Sequence, residues 1–227
     1  MAHLGRAAPD GATTSIVFMR LPEAPFVPPP LAGKLTVSVR FTWHGDAQRG
    51  AQLLAPLRAC APAIIDTVDL IPSTALGQVH SDPTDPMPLL EDHVLLEELT
   101  HDTVETLLGQ VAASPALAMV EVRRLGGALA WHPRHASAIS HRDAPFSLFA
   151  AGLAIPPLAE LVPAQLAAVM TAVQPWSRGR TLVNFAPLTR PERVTSAYDP
   201  ATMARLRRVA AHHDPHGILR ARRFLDA

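Results

Sequence analysis

An α+β fold is what this sequence predicts: one mainly antiparallel sheet with helices on one face, followed by a C-terminal helical segment. Three observations carry that reading. Leu35, Val37, Val39, Phe41 and Trp43 alternate with Thr36, Ser38, Arg40 and Thr42, the period of two expected of a strand with one buried and one polar face. Val104, Leu107, Leu108 and Val111, and later Leu166, Val169, Met170 and Val173, recur at helical spacing. The segments run strand, strand, helix, strand, loop, strand, helix, strand, strand, helix, strand, helix, without the strict alternation of a parallel sheet.

The elements follow in order. Met1 to Thr14 is small and polar, and is expected to be flexible. Ser15 to Leu21 is apolar and β-branched, a strand. Pro22 to Gly33 carries five prolines, which exclude a helix or a central strand and leave a stiff connector. After the Leu35–Trp43 strand, Asp46 caps a helix reaching about Ala59. Ala47, Gly50, Leu54 and Leu57 share a face of that helix, and Pro56 is expected to kink or shorten it. Ala63 to Leu70 reads as a strand, and Ile71 to Leu89 as a proline-rich loop long enough to wall a pocket. Val94 to Leu99 reads as a strand. Asp102 and Glu105 have the spacing of a capping box at a helix start.

Ala116 to Arg123 is a strand ended by Gly126 and Gly127. Trp131 to Asp143 is a polar loop, Phe146 to Leu153 an apolar strand, and Pro163 opens the next helix. Thr181 to Phe185 reads as a short strand. Asp199 is placed to cap the last helix, with Pro200 at its first position and Tyr198 and Met203 spaced as a hydrophobic staple. Met203, Leu206 and Val209 form its apolar stripe. The helix stops before Asp214-Pro215-His216-Gly217, a type I turn sequence. Ile218, Leu219 and Phe224 then need apolar cover.

Composition narrows the function. The 227 residues are enough for one large domain with a sizeable core. Acidic and basic residues balance at 20 each, which argues against a general nucleic-acid or membrane-surface binder. Cys60 is the only cysteine, so no intramolecular disulfide forms, and a lone cysteine ending an apolar helix is expected to be buried. The N-terminal residues lack the basic start and apolar core of a signal peptide, and no apolar run reaches the ~18 residues of a membrane span. A cytoplasmic location is the expectation. Histidines gather at His132, His135 and His141 and again at His212, His213 and His216, but Pro133 and Pro215 break the helices that would align them, and no metal site is expected. No G-x-G-x-x-G, G-x-x-x-x-G-K or G-x-S-x-G pattern occurs.

Glu121 and Arg123 share one face of their strand, with Arg124 on the other. A carboxylate beside a guanidinium can orient a polar substrate or stabilise charge, and these two are the candidate catalytic pair. The same arrangement also serves as a structural ion pair at a sheet edge.

Several motifs together resemble a known family. They are Gly45 to Ala59 (GDAQRGAQLLAPLRA), Ser81 to Pro86 (SDPTDP), Met119 to Ala130 (MVEVRRLGGALA), Arg142 to Leu153 (RDAPFSLFAAGL), and the stretch from Leu182-Val183-Asn184-Phe185 through Tyr198-Asp199-Pro200 to Asp214-Pro215. In this order they resemble the C-terminal half of the berberine-bridge-enzyme-like flavoproteins, FAD-linked oxidoreductases of the vanillyl-alcohol-oxidase fold. The resemblance implies an oxidase-type, FAD-dependent enzyme in which this chain supplies the substrate domain, residues 15–180, and a flavin-contacting C-terminal segment, residues 181–227. It places Val183, Asn184 and Phe185 against the cofactor. An Asn amide, both donor and acceptor, suits a flavin edge, and an aromatic ring can pack on it. The family often has a histidine where Arg124 stands, and a guanidinium that stays protonated cannot replace it in acid–base work.

Most FAD contacts in that family come from an N-terminal domain with no counterpart among these motifs. FAD is therefore expected only with such a domain completing the site. The partners implied are a small-molecule substrate and either a separate FAD-domain polypeptide or a second copy of the chain, with no nucleic acid and no membrane. The alternatives are a non-catalytic truncated remnant and a small-molecule binding domain without flavin.

Overall fold

The structure, a computed structural model, describes residues 8–25, 27–80, 85–185, 190–219 and 225. The expectations for Met1 to Ala7, for Ser81 to Thr84 of the acid-proline loop and for Phe224 lie outside the described residues.

Five strands form one antiparallel sheet in the order β2-β1-β4-β5-β3. They are β1 (Ala12–Arg20), β2 (Leu35–Trp43), β3 (Leu89–Leu96), β4 (Leu117–Arg124) and β5 (Phe146–Leu153). The α-helices are α1 (Ala47–Arg58), α2 (His101–Ala113), α3 (Val162–Ala172), α4 (Pro191–Thr195) and α5 (Pro200–His213). Residues Phe18, Val120, Val122, Leu148, Ala150, Val94 and Leu96 occupy one side of the sheet by strand alternation. They bury against Leu107 and Val111 of α2 and Val162, Leu166 and Val169 of α3. A smaller cluster joins Ala8, Ala12 and Phe41 to Leu54 of α1 on that same side. The expected α+β architecture with helices on one face is the observed one.

Several local expectations change. The first strand begins at Ala12, and Ala8 and Ala12 are buried, so this part of the N-terminal stretch is built into the fold. The Arg124 guanidinium holds it there through the Ala8 and Ala12 carbonyls, at 2.7 and 2.9 Å. Pro56 lies inside α1 without ending it. Ala63 to Leu70 is not a strand. It pairs with no strand, and Ile64, Ile65 and Leu70 stand exposed. Cys60, expected inside, is exposed one residue past the α1 C-cap. The β3 strand starts at Leu89 and ends at Leu96, earlier than read from sequence. The capping box of α2 is made by Thr100 and Thr103 rather than Asp102 and Glu105, so the buried stripe is Thr103, Leu107 and Val111 while Leu108 is exposed.

The C-terminal region also departs from its sequence reading. Thr181 to Phe185 is not a strand: Val183–Phe185 is a single 3-10 turn. Just before it, the chain runs along the outer side of β3, where Leu95 N donates to Arg180 O and Glu97 N to Trp176 O. Asp199 caps α5 as expected, accepting from Thr202 N at 2.8 Å. The buried residues of α5 are Met203 and Ala210, and Val209 faces solvent. Gly217 N closes the turn on Asp214 O, but Ile218 and Leu219 remain exposed among the described residues.

Candidate functional site

The side of the sheet turned away from α2 and α3 is polar, and strand register explains why its residues meet. One row across the sheet reads Val17, Glu121, Phe149 and His93, and the next reads Arg40, Ser15, Arg123, Ser147 and Leu95. Directly paired residues on one face lie within side-chain reach. Five strands thus place two arginines, a glutamate, two serines and a histidine on one surface.

Glu121 and Arg123, the expected catalytic pair, are joined. Glu121 Oε2 accepts from Arg123 at 2.8 Å, and Oε1 accepts from Arg40 at 2.9 Å. The carboxylate is almost wholly buried. Burial pushes its pKa up, but the Ser15 hydroxyl and the Arg123 and Arg40 guanidinium groups outweigh that, and it titrates below the ordinary glutamate value. A carboxylate held ionised by two guanidinium groups is a weak proton acceptor and a good anchor for the arginines. Glu91 lies on this face one row beyond His93, and burial pushes its carboxyl up instead. Two carboxylates on one surface are therefore biased in opposite directions, the pattern that separates an acid–base group from a fixed charge.

His93 was not singled out in the sequence. The expected loop ended at Leu89 and the expected strand began at Val94, so the residue fell between elements. Only the β3 register reveals it. Its side chain is fully buried, and its pKa is pushed down to about 3, first by burial and then by Arg193 and Arg123. The ring is neutral at physiological pH. Leu182 N–H donates to Nδ1 at 3.4 Å, and the Thr181 hydroxyl stands 2.6 Å from the same nitrogen. A backbone N–H can only donate, so Nδ1 is an acceptor and the ring hydrogen sits on Nε2. The neighbouring Asp92 carboxylate is buried between Arg190 and Arg193, and Arg193 also donates to the His93 carbonyl. These contacts lock β3 to the chain just before α4 and within it.

Val183, Asn184 and Phe185, the expected cofactor contacts, line an open pocket of about 190 Å³ together with Leu129 and Ile139. Asn184 is exposed at this pocket. Phe185 turns onto the polar face, where its ring stacks on His93 at 5.1 Å and 19° and meets Phe149 at 5.6 Å and 58°. The Arg123 guanidinium carbon lies 5.7 Å from the Phe185 ring centre, within cation–π range. Phe185 thereby links the pocket to the Glu121–Arg123 face. The pocket wall is pinned from the other side by Ser140, which donates to Asp199 at 2.9 Å, and by His141, whose Nε2 lies 3.1 Å from Ser196 O. Among the described residues no group of three or more His, Cys, Asp or Glu is arranged to hold a metal ion. No helix of the described chain is long and apolar enough to cross a membrane.

No protein-family model matches this chain, and no curated protein matches it in sequence. Its fold does match solved structures. A variant of BBE-like 1 from Physcomitrella patens superposes with a TM-score of 0.72 at 13% identity, over 93% of this chain and 46% of that one. The 6-hydroxy-D-nicotine oxidase of Arthrobacter nicotinovorans gives 0.68 at 18% identity, over 89% and 45%. A xylooligosaccharide oxidase from Myceliophthora thermophila gives 0.67 at 14% identity, over 91% and 46%. The chain thus has the fold of one half of these proteins and spans about half their length.

Proposed function

We propose that this chain is the substrate-domain half of an FAD-dependent oxidoreductase of the oxidase type. It would act with an FAD-binding half, carried on a longer form of the same chain or on a separate polypeptide. The observation that carries the reading is the position of Val183-Asn184-Phe185. In a fold shared with half of several oxidases, this motif joins an open pocket to a buried row of charged residues.

The residues present fit one edge of a flavin. Asn184 would offer an amide donor and acceptor to a ring edge, and Val183 and Phe185 an apolar wall. Bound FAD would supply a two-electron acceptor for a substrate C–H bond. The work of this chain would be to hold the substrate. Arg123, fixed by Glu121, would bind a polar or anionic group. Glu91, the carboxyl on this face with a raised pKa, is better suited than Glu121 to take a proton from the substrate. The exposed Ile64, Ile65 and Leu70 of the unpaired stretch after α1 belong to the surface that a second half would cover.

The test is flavin retention. The chain is produced alone and together with an FAD-binding half from a relative, supplied with FAD and freed of unbound ligand by gel filtration, and its visible spectrum is recorded. The reading expects a shifted flavin band in the two-half assembly that weakens on Asn184→Ala. A well-folded assembly with no flavin band would instead support a non-catalytic domain.

A further inference from the structure

Asp92 breaks the pattern of its own row. Across the helix side of the sheet the register lines up Val37, Phe18, Val120, Ala150 and Asp92. Leu90 and Val94, two residues away on β3, pack into the apolar core. The Asp92 side chain is only 4% exposed. A carboxylate is costly to desolvate in such a place, and a well-packed apolar cluster there is often as stable or more so. Stability alone does not call for this residue.

The carboxylate instead closes a ring of contacts. Oδ1 accepts from the His93 backbone N–H at 2.8 Å and faces Arg193 at 3.2 Å, while Oδ2 pairs with Arg190. Arg193 also donates to the His93 carbonyl. Arg193 lies in α4, and just past that helix the Ser196 hydroxyl donates to the Arg193 carbonyl at 2.8 Å. The Ser196 carbonyl accepts from Thr181 N–H at 3.3 Å. The Thr181 hydroxyl returns to His93 Nδ1, and the His93 ring stacks on Phe185. Asp92 and His93, consecutive on β3 and turned to opposite faces, thus hold the chain on both sides of Val183–Phe185. They grip Thr181 and Leu182 before it, and Arg190 and Arg193 after it.

We infer that Asp92 is a positioning residue for the Val183-Asn184-Phe185 turn, setting its place on the sheet through Arg193, α4 and Thr181. Charge gives direction as well as attraction here. Hydrogen bonds from guanidinium groups to a carboxylate have a preferred geometry, so α4 is oriented on β3, whereas a purely apolar contact would let it slide. The cofactor-facing role of the turn rests on the oxidoreductase reading above. Its placement by Asp92 does not.

The readout is the ring-current shift that Phe185 imposes on the His93 ring protons, followed by NMR of the 227-residue chain labelled with ¹³C-histidine. Phe185→Ala gives the value without stacking. Asp92→Asn keeps the size of the side chain and removes its charge. A triple variant, Asp92→Leu with Arg190→Met and Arg193→Met, replaces the whole cluster by apolar groups, an exchange that can preserve a fold. Both are expected to lose most of the Phe185-dependent shift while the methyl signals of Leu148 and Val169, in the core, stay native. A role in stability alone predicts the opposite for the triple variant, a kept core and a kept stack. A native His93 shift in folded Asp92→Asn or in the folded triple variant therefore overturns the inference. If neither folds, Arg190→Gln decides, because that side chain is 43% exposed and Arg193 stays on the carboxylate. A partial loss of the shift is expected there, and a native shift overturns the inference. The measurement involves no flavin, so it and the flavin-retention test fail separately.

Discussion

The two ends of the sheet are built from similar sequence and end in different states. At the β5–β3 end, Leu148, Ala150, Val94 and Leu96 lie under α2 and α3 with almost no solvent exposure. At the β2 end the alternation is cleaner, yet Leu35, Val37 and Val39 are 43, 58 and 39% exposed. Their faces are equivalent by register, since Val39 pairs with Ile16 and Val37 with Phe18 on the helix side. The difference is that neither core cluster includes them, and α1 packs only at the Phe41 end. Period two therefore states which residues share a face. Whether that face is buried depends on elements elsewhere in the chain or outside it.

The sharpest test alters one apolar side chain at each end. Leu148→Ala is expected to cost about 2–5 kcal/mol in urea denaturation, through lost transfer energy and a cavity. Val37→Thr on the open face is expected to stay within about 0.5 kcal/mol. If the Val37 substitution proves equally costly, the β2 face is covered in solution and the contrast fails.

The polar face gives the next two effects. Glu121→Gln leaves Arg40 and Arg123 without their carboxylate, and is expected to lose about 1.5–3 kcal/mol because charged hydrogen bonds are broken in a buried place. His93 provides a pH signature. Its folded pKa of about 3 lies below the ordinary 6.5, so below pH 6.5 the unfolded chain takes up a proton that the folded chain refuses. Stability is then fully present above pH 6.5 and falls as pH drops toward 3, at about 1.4 kcal/mol per pH unit for this group. The Glu121 carboxylate adds its own loss at lower pH, as its depressed folded pKa is approached. His93→Gln should remove the histidine part of the slope when urea midpoints are compared from pH 7 to 5. An unchanged slope would mean that the imidazole is accessible to protons. The smallest effect is Asp199→Ala, expected to cost about 1 kcal/mol through the lost α5 cap and to loosen the pocket wall through Ser140.

What was legible in the sequence follows the range of each interaction. Local signals were reliable. The Asp46 and Asp199 caps, the helix opening near Pro163 and the β2 strand all depend on neighbours a few residues apart, and they stand as read, whereas the burial expected of the apolar face of β2 holds only at Phe41. The face shared by Glu121 and Arg123 is local too. The second arginine on Glu121, Arg40, sits 81 residues from it, and no spacing rule points to it. His93 fell between two expected elements, at the end of the polar run Glu91-Asp92-His93, and only pairing with Phe149 puts it beside Phe185. The misread strand at Thr181 failed for the opposite reason. Its residues have strand-like composition, but His93, Thr181 and Leu182 bond through a side chain and turn the backbone. Ile218 and Leu219 looked like core residues, and nothing in their neighbourhood could say that the described chain leaves them uncovered.

The bonds from Leu95 N to Arg180 O and from Glu97 N to Trp176 O give the sheet a polarity. An antiparallel sheet normally has two open flanks, each able to recruit another strand. Here the flank beyond β3 is already occupied by the chain's own irregular backbone, which cannot template a further ladder. Among the described residues the outer side of Leu35–Trp43 pairs with no strand. Any extension of this sheet, within a longer chain, by a second polypeptide or by self-association, is therefore directed to a single terminus. A fusion or crosslink engineered to complete the molecule should be placed there.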